Sequence, residues 1–259
     1  MMNNTFNLSR FIKLFKRHSI ANYKPYLMLL LILIGGLSIA LGYTSMNANS
    51  FISIEQYTMF QLCLFVSAPI FTAGIFAELG SQSKSISFLM LPASNLEKWL
   101  VAWVYSFVIF LVVYIACFYV VDAVVLQIAN ASLKQPQKLV NIFDPKHRLI
   151  SDLVIFSLLH ALSFFGAVFF RKHQILKIGS LLLVLYFGMI YVNAAVLTAM
   201  FNTEVNVGQL FSSVSFIDGN DYYHINESPI ISSASSYIFF IVAGLIWSAT
   251  YYRLKEKEV

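Results

Sequence analysis

Five histidines (His18, His147, His160, His173 and His224), two cysteines (Cys63 and Cys117) and twelve carboxylates are the side chains here that could bind a metal or move a proton. Their spacing argues against either. The histidines are scattered rather than paired at ligand distance, and no C-x-x-C occurs, so no metal or redox centre is indicated. Each cysteine lies inside an apolar run, a setting that disfavours a disulfide. There is no H-E-x-x-H, no G-x-S-x-G and no G-x-x-x-x-G-K-[ST], hence no signature of a zinc protease, a serine hydrolase or a P-loop nucleotide site. His147, flanked by Lys146 and Arg148, reads as part of an interfacial basic cluster rather than as a base. Asp218-Gly-Asn-Asp221 is too short for a calcium loop and reads as a turn. No catalytic, cofactor-binding or metal-binding residue is expected.

The remaining polar candidates sit inside apolar stretches. Gln61, His160 and Asn193 are expected either to line a path or to hydrogen-bond between helices. Asp122 is expected near the outer end of its stretch, within reach of water. An intramembrane enzyme would require Gln61, His160 and Asn193 to converge on one polar site. A relay of acids across the bilayer, as in a proton-coupled transporter, is absent.

The elements that position these residues follow from composition. Of 259 residues, 59% are hydrophobic and only 11% charged, with a mean hydropathy of +0.74. A soluble domain carries about a quarter charged residues, so this chain lacks the polar surface to cover a globule in water. Six apolar stretches, 26–44, 57–77, 99–126, 150–170, 178–200 and 237–252, approach or exceed the ~20 residues that cross a bilayer core. The sixth is short and is expected to recruit 232–236. The expected architecture is an all-α polytopic membrane protein with six transmembrane helices. The first stretch is too long and too far from the start to read as a cleavable signal.

Charge orients the bundle. Thirteen of the seventeen lysines and arginines fall in 1–25, in the connection after span two, in that after span four and in the tail. The other side has only Lys134, Lys138, Lys146 and Arg148, while the 201–236 loop has none and carries Glu204, Asp218, Asp221 and Glu227. Lysine and arginine collect on the cytoplasmic side, so both termini are expected there. The net charge of +5 is thereby explained without nucleic acid as a partner. The chain divides into an interface helix (1–25), a six-helix domain (26–252) with a cytoplasmic loop (78–98) and outer loops (129–149 and 201–236), and a tail (253–259).

Two segments carry more than topology. Residues 6–24 form an amphipathic pattern, with Leu8, Phe11, Ile12, Phe15 and Ser19 on one face and Arg10, Lys13, Lys16 and Arg17 largely on the other. Such a helix lies in the headgroup plane against anionic lipid, and Pro25 is expected to break it before span one. It serves either as a topology anchor or as a lever on span one. Between spans two and three, Glu78-Leu-Gly-Ser-Gln-Ser-Lys84 leads into the apolar Ile86, Phe88, Leu89, Met90 and Leu91 and ends at Pro92. Ser94 and Glu97 then have the S-x-x-E form of a capping box, predicting a helix start. The segment reads as a hairpin on the membrane or as a surface covered by a protein.

This pattern resembles the ABC-2 type transporter permeases. An acidic residue ends span two, a serine/lysine stretch follows, and then comes Ser87-Phe-Leu-Met-Leu-Pro-Ala-Ser-Asn-Leu-Glu-Lys98. In that family an L-L-x-x-P-[VA]-S-x-x-E type of stretch forms a coupling helix that docks on the ATPase. Leu89, Leu91, Pro92, Ala93, Ser94 and Glu97 match it, with Glu78 and Lys84 flanking. Six spans, inside termini and a basic amphipathic N-terminal helix extend the resemblance over essentially the whole chain.

The resemblance implies the transmembrane subunit of an exporter in the bacterial cytoplasmic (inner) membrane. It would pair with a second copy or a related permease, among membrane lipids, and be driven by a separate ABC ATPase subunit that binds ATP and Mg. Glu97 and Lys98 would be coupling contacts, and Leu89, Met90 and Leu91 hydrophobic knobs. The segment 205–217 would be a short re-entrant helix dipping into the outer leaflet, or else an ordinary surface loop with a partly buried strip. Glycines Gly35, Gly36 and Gly42 and Ser38 of span one read independently as sites of close helix approach. The alternative is a non-transporting scaffold or immunity-type protein that kept the permease fold.

Overall fold

The computed structural model describes residues 6–47, 53–76, 93–131, 136–144, 147, 149–170, 174–201, 214–218, 221–225 and 229–256. The apolar stretches form α1 (Leu8–Asn47), α2 (Ser53–Ile75), α5 (Leu149–Phe169), α6 (Gln174–Phe201) and α7 (Pro229–Glu256). Between α2 and α5, α3 (Asn95–Trp103) continues through a π-helical turn (Val104–Ile109) into α4 (Phe110–Asn130). With α3, the π turn and α4 taken as one rod, six helices are long and apolar enough to cross a membrane. The protein is an all-α integral membrane protein.

Two rods are longer than a crossing requires. α1 has 40 residues and the third rod 36, about 60 and 54 Å at 1.5 Å per residue against a hydrocarbon core of ~30 Å. They run side by side in the same direction. Their long-range contacts keep a nearly constant sequence offset: 90 for Asn7 with Glu97, 87 for Arg10 with Glu97 and 86 for Ser19 with Tyr105. In α1 the surplus is the lysine- and arginine-rich stretch that precedes the apolar run.

Pro25 does not break α1, contrary to expectation; the helix runs on through it. Proline removes one helical hydrogen bond, but here the residues before it are tied to the third rod, and tertiary contacts outweigh the local penalty. The amphipathic segment is therefore the first part of the first spanning helix. Phe11, Leu14 and Phe15 pack on the inner core, whereas Leu8 and Ile12 stay exposed.

The core has an outer and an inner half. In the outer half Leu37 and Leu41 of α1, Phe60 and Leu64 of α2, and Tyr114 and Phe118 of α4 interlock. In the inner half Phe76, Val101, Phe164, Ile178 and Leu254 join four helices and the segment following α2. Helices α5 and α6 are in close contact at Gly166, where a Cβ would lie 2.6 Å from Ile178 Cγ1. Gly35, Gly36 and Gly42 were expected to seat such an approach. A Cβ at any of them meets nothing within 4 Å among the described residues, so they pack closely against none of these.

The 201–236 loop contains an antiparallel hairpin, β1 (Val214–Asp218) and β2 (Asp221–Ile225), paired from Val214 with Ile225 to Asp218 with Asp221. The turn read at 218–221 fits this register. The re-entrant helix expected over 205–217 is corrected at 214–217, which is strand; β-branched and aromatic residues around Gly219-Asn220 favour a hairpin. Residues 205–213 lie outside the described residues.

Candidate functional site

At the N-terminal end of the third rod the capping box forms as the sequence predicts. Ser94 has an extended backbone (φ −68°, ψ 154°), its Oγ accepts from Glu97 N–H at 3.3 Å, and Glu97 Oε2 accepts from Ser94 N–H at 2.9 Å. This fixes the first turn of α3 and leaves Glu97 Oε1 pointing toward α1. There it accepts the Asn7 backbone N–H at 2.8 Å and the Arg10 guanidinium at 3.1 Å (Nη2) and 3.3 Å (Nε). Asn7 in turn caps α1, its Oδ1 accepting Ser9 N–H at 2.9 Å. One carboxylate thus closes the N-termini of two helices, where the helix dipoles favour negative charge.

Glu97 precedes the third span and is completely buried. Burial alone would raise its pKa, but the Asn7 and Ser94 N–H groups and the Arg10 guanidinium outweigh that and hold the carboxyl below the usual carboxylate range. Above the latch the two rods stay in contact through aromatic side chains. The Ser19 hydroxyl bonds the Tyr105 hydroxyl, and the Tyr105 ring lies 4.7 to 5.6 Å from His18, Phe15 and Tyr26. Tyr105 belongs to the π turn, a feature often found at functional sites.

A second centre lies inside the bundle. His160 of α5 is fully buried among Phe107, Phe156 and Phe164. Trp247 of α7 donates its indole N–H to Nδ1 at 3.0 Å, and Nε2 lies 2.8 Å from Ser106 Oγ in the π turn. Indole is only a donor, so Nδ1 accepts and Nε2 carries the proton. The Ser106 hydroxyl in turn donates to Ala102 C=O at 2.8 Å. Each hydrogen in the chain has an acceptor, which makes His160 a joint between three helices.

At the outer end Asp152, in the first turn of α5, accepts from the Tyr57 hydroxyl and from Gln61 Nε2, the latter at 2.7 Å. His147 stacks on Tyr57 with ring centroids 4.0 Å apart. Gln56 straps the outer loop to α2, its Oε1 accepting Val140 N–H at 2.9 Å and its Nε2 donating to Lys138 C=O at 3.3 Å. Asn130 does the same from α4, with two bonds to the Gln137 backbone.

The sequence-derived candidates therefore separate. Gln61 belongs to the outer Asp152 centre, His160 to the inner joint, and Asn193 sits half-buried on α6. They are not brought to one site, which removes the convergence an intramembrane enzyme required. Glu97 and Lys98 were expected as docking contacts, but both are buried within this chain, because the capping box turns Glu97 inward onto α1. Glu78, Lys84, Leu89, Met90, Leu91 and Pro92 lie outside the described residues. Of the amphipathic residues, Lys13 and Arg17 are exposed, while Arg10 is committed to Glu97.

Asp122 corrects another expectation: it is fully buried rather than wetted, and neither carboxyl oxygen has a hydrogen-bond partner among the described residues. Sequence reasoning overlooked Asp152 and Gln56, whose partners lie 82 to 95 positions away. The one available signal was an acid in the first turn of a predicted helix. Comparison of the chain with protein-family models, curated proteins and solved structures returns no match.

Proposed function

We propose that this chain is the permease subunit of an ABC-2 type exporter in a bacterial inner membrane. It pairs with a second copy or a related permease to enclose the path and is driven by a separate ATPase subunit that holds ATP and Mg. The observation carrying this reading is the Glu97 latch. It joins the amphipathic N-terminal segment to the first turn of the third rod, immediately after the segment that resembles the family's coupling helix. A push delivered there reaches two spanning helices at once, as coupling to a cytoplasmic motor requires.

In this reading Leu89, Met90 and Leu91 meet the ATPase, with Glu78, Lys84 and Pro92 shaping the turn. Glu97 and Lys98 transmit rather than touch. The test is detergent solubilisation from the native host, affinity capture and mass spectrometry of what co-purifies. A stoichiometric P-loop ATPase, lost on Leu89→Asp with Leu91→Asp, supports the exporter. A clean capture with no ATPase rejects it in favour of the scaffold or immunity-type alternative.

A further inference from the structure

Three aromatic rings, one from each wall, close an apolar groove between α1, α2 and the third rod. The groove has a volume of about 410 Å³ and is lined by Leu33 and Gly36 of α1, Cys63 and Val66 of α2, and Ile109 and Val113 of the rod. At the end nearer the Glu97 latch its lining finishes in Tyr26, Phe71 and Tyr105. Tyr26 stacks on both of the others, with ring centroids 5.6 Å apart in each pair. The hydroxyls of this lid reach residues outside the groove lining. That of Tyr26 bonds His18 Nε2, that of Tyr105 bonds Ser19, and Asn22 Nδ2 donates to His18 C=O at 3.2 Å. Apolar surface lies on one side of the rings and hydrogen-bonding groups on the other.

The Tyr105 ring rides on the π turn, Val104–Ile109. The Phe110 N–H that ends this turn reaches the C=O groups of Tyr105 and Phe107, five and three residues back, and skips Ser106 C=O, its α-helical partner. A rod with one such turn carries one residue more than the same span of α-helix. That surplus moves along the rod by exchanging one backbone hydrogen bond for another. Passage of the turn across Tyr105 swings its side chain by ~100°, the step between neighbouring helical residues, and takes the ring out of the stack. The two halves of the core also meet here, Tyr105 belonging to the inner half and Phe107 packing on the outer. Each half therefore keeps its own packing when the turn moves.

We infer that the Phe71–Tyr26–Tyr105 stack is a gate between the groove and the polar cluster at His18 and Ser19, opened by movement of the π turn along the third rod. With the gate closed the groove opens to its side, past the exposed Leu62 and Val66. With it open, water also reaches the groove from the polar cluster. This assignment is independent of the exporter reading and holds for a scaffold equally.

The test reads Cys63, which lines the groove near the middle of α2, in full-length protein carrying Cys117→Ala. The protein is placed in phosphatidylcholine nanodiscs and treated with a quaternary-ammonium methanethiosulfonate, whose fixed charge keeps it out of lipid. Labelling of this parent should be slow. Tyr105→Phe cuts the tether without orphaning Ser19, whose hydroxyl still donates to Phe15 C=O at 3.0 Å. It should label about fivefold faster, the weight of one net hydrogen bond. Tyr105→Ala, which removes the ring, should label faster still. Deleting the exposed Val108 takes the surplus residue out of the rod; labelling should fall below the parent and the melting temperature should rise. Amide exchange over 104–110 should quicken in Tyr105→Phe in step with labelling. Cys117, read in Cys63→Ala, is outside the groove lining, and its rate should not respond to the Tyr105 variants. An unchanged Cys63 rate in both Tyr105 variants overturns the gate, as does an equal rise at Cys117, the mark of general loosening. Faster labelling with unchanged amide exchange, or a folded deletion variant that labels like its parent, overturns the role of the π turn.

Discussion

The indole N–H of Trp247 ends on Nδ1 of His160 at 3.0 Å, and this one bond decides which imidazole nitrogen carries the proton. With Nδ1 accepting, Nε2 is free to donate to Ser106, and the π turn, α5 and α7 are pinned at one point. Trp247→Phe should lower stability by about 1–2 kcal/mol, from a lost interhelical bond and lost ring contacts. His160→Leu should cost a similar amount by orphaning the indole N–H. The double variant should lose less than the sum, as expected for coupled partners. Thermal unfolding in detergent reads all three, and strict additivity would show that the bond contributes nothing.

The Glu97 latch gives a second expectation. Glu97→Ala leaves the Asn7 and Ser94 N–H groups and the Arg10 guanidinium without their acceptor, and should cost about 2–3 kcal/mol. Arg10→Met should cost about 1 kcal/mol, because both backbone donors keep their partner and the guanidinium is partly solvated. Limited trypsin digestion makes the change local: cleavage between Lys13 and Lys24 should accelerate in Glu97→Ala while the bundle stays intact. An unchanged cleavage rate would mean that α1 is held by its aromatic contacts alone.

The latch also fixes a pH dependence. The folded-state pKa of Glu97 lies below the ordinary 4.5, so the carboxylate's contribution is fully present above that value. It is lost as the pH falls through the folded-state pKa. Melting temperatures taken from pH 7 down to 3 should therefore drop more steeply for the wild type than for Glu97→Gln below about pH 4.5. Parallel curves would assign the acid sensitivity to another group.

Asp122 supplies the fourth expectation. Two carboxyl oxygens buried without a donor among the described residues are costly to the folded state, by about 1–3 kcal/mol or more. Asp122→Leu, close in volume and apolar, should raise the melting temperature. A fall instead would reveal a partner that compensates the carboxyl in the assembled protein.

What was legible in the sequence is what short stretches encode by themselves. Hydropathy located all six crossings, since twenty apolar residues have few other solutions. The S-x-x-E pattern located the start of α3, because both of its bonds are made within four residues. The partners of Glu97 were not legible: Asn7 and Arg10 are brought to it by the register between two parallel rods, which no local pattern specifies. Gln56 with Val140 and Tyr57 with Asp152 failed to show for the same reason. Pro25 misled because its local penalty is offset by packing that lies far along the chain.

The parallel pairing of α1 with the third rod sets an order on synthesis. Asn7 and Glu97 are 90 residues apart, about 5–20 seconds of translation at ~5–20 residues per second. During that interval the cationic segment has emerged and its acceptor does not yet exist. The first two helices enter the membrane as a hairpin before the acceptor for its leading end has been made. Closure of the latch then marks the moment at which the third helix has been threaded and the nascent chain becomes a bundle.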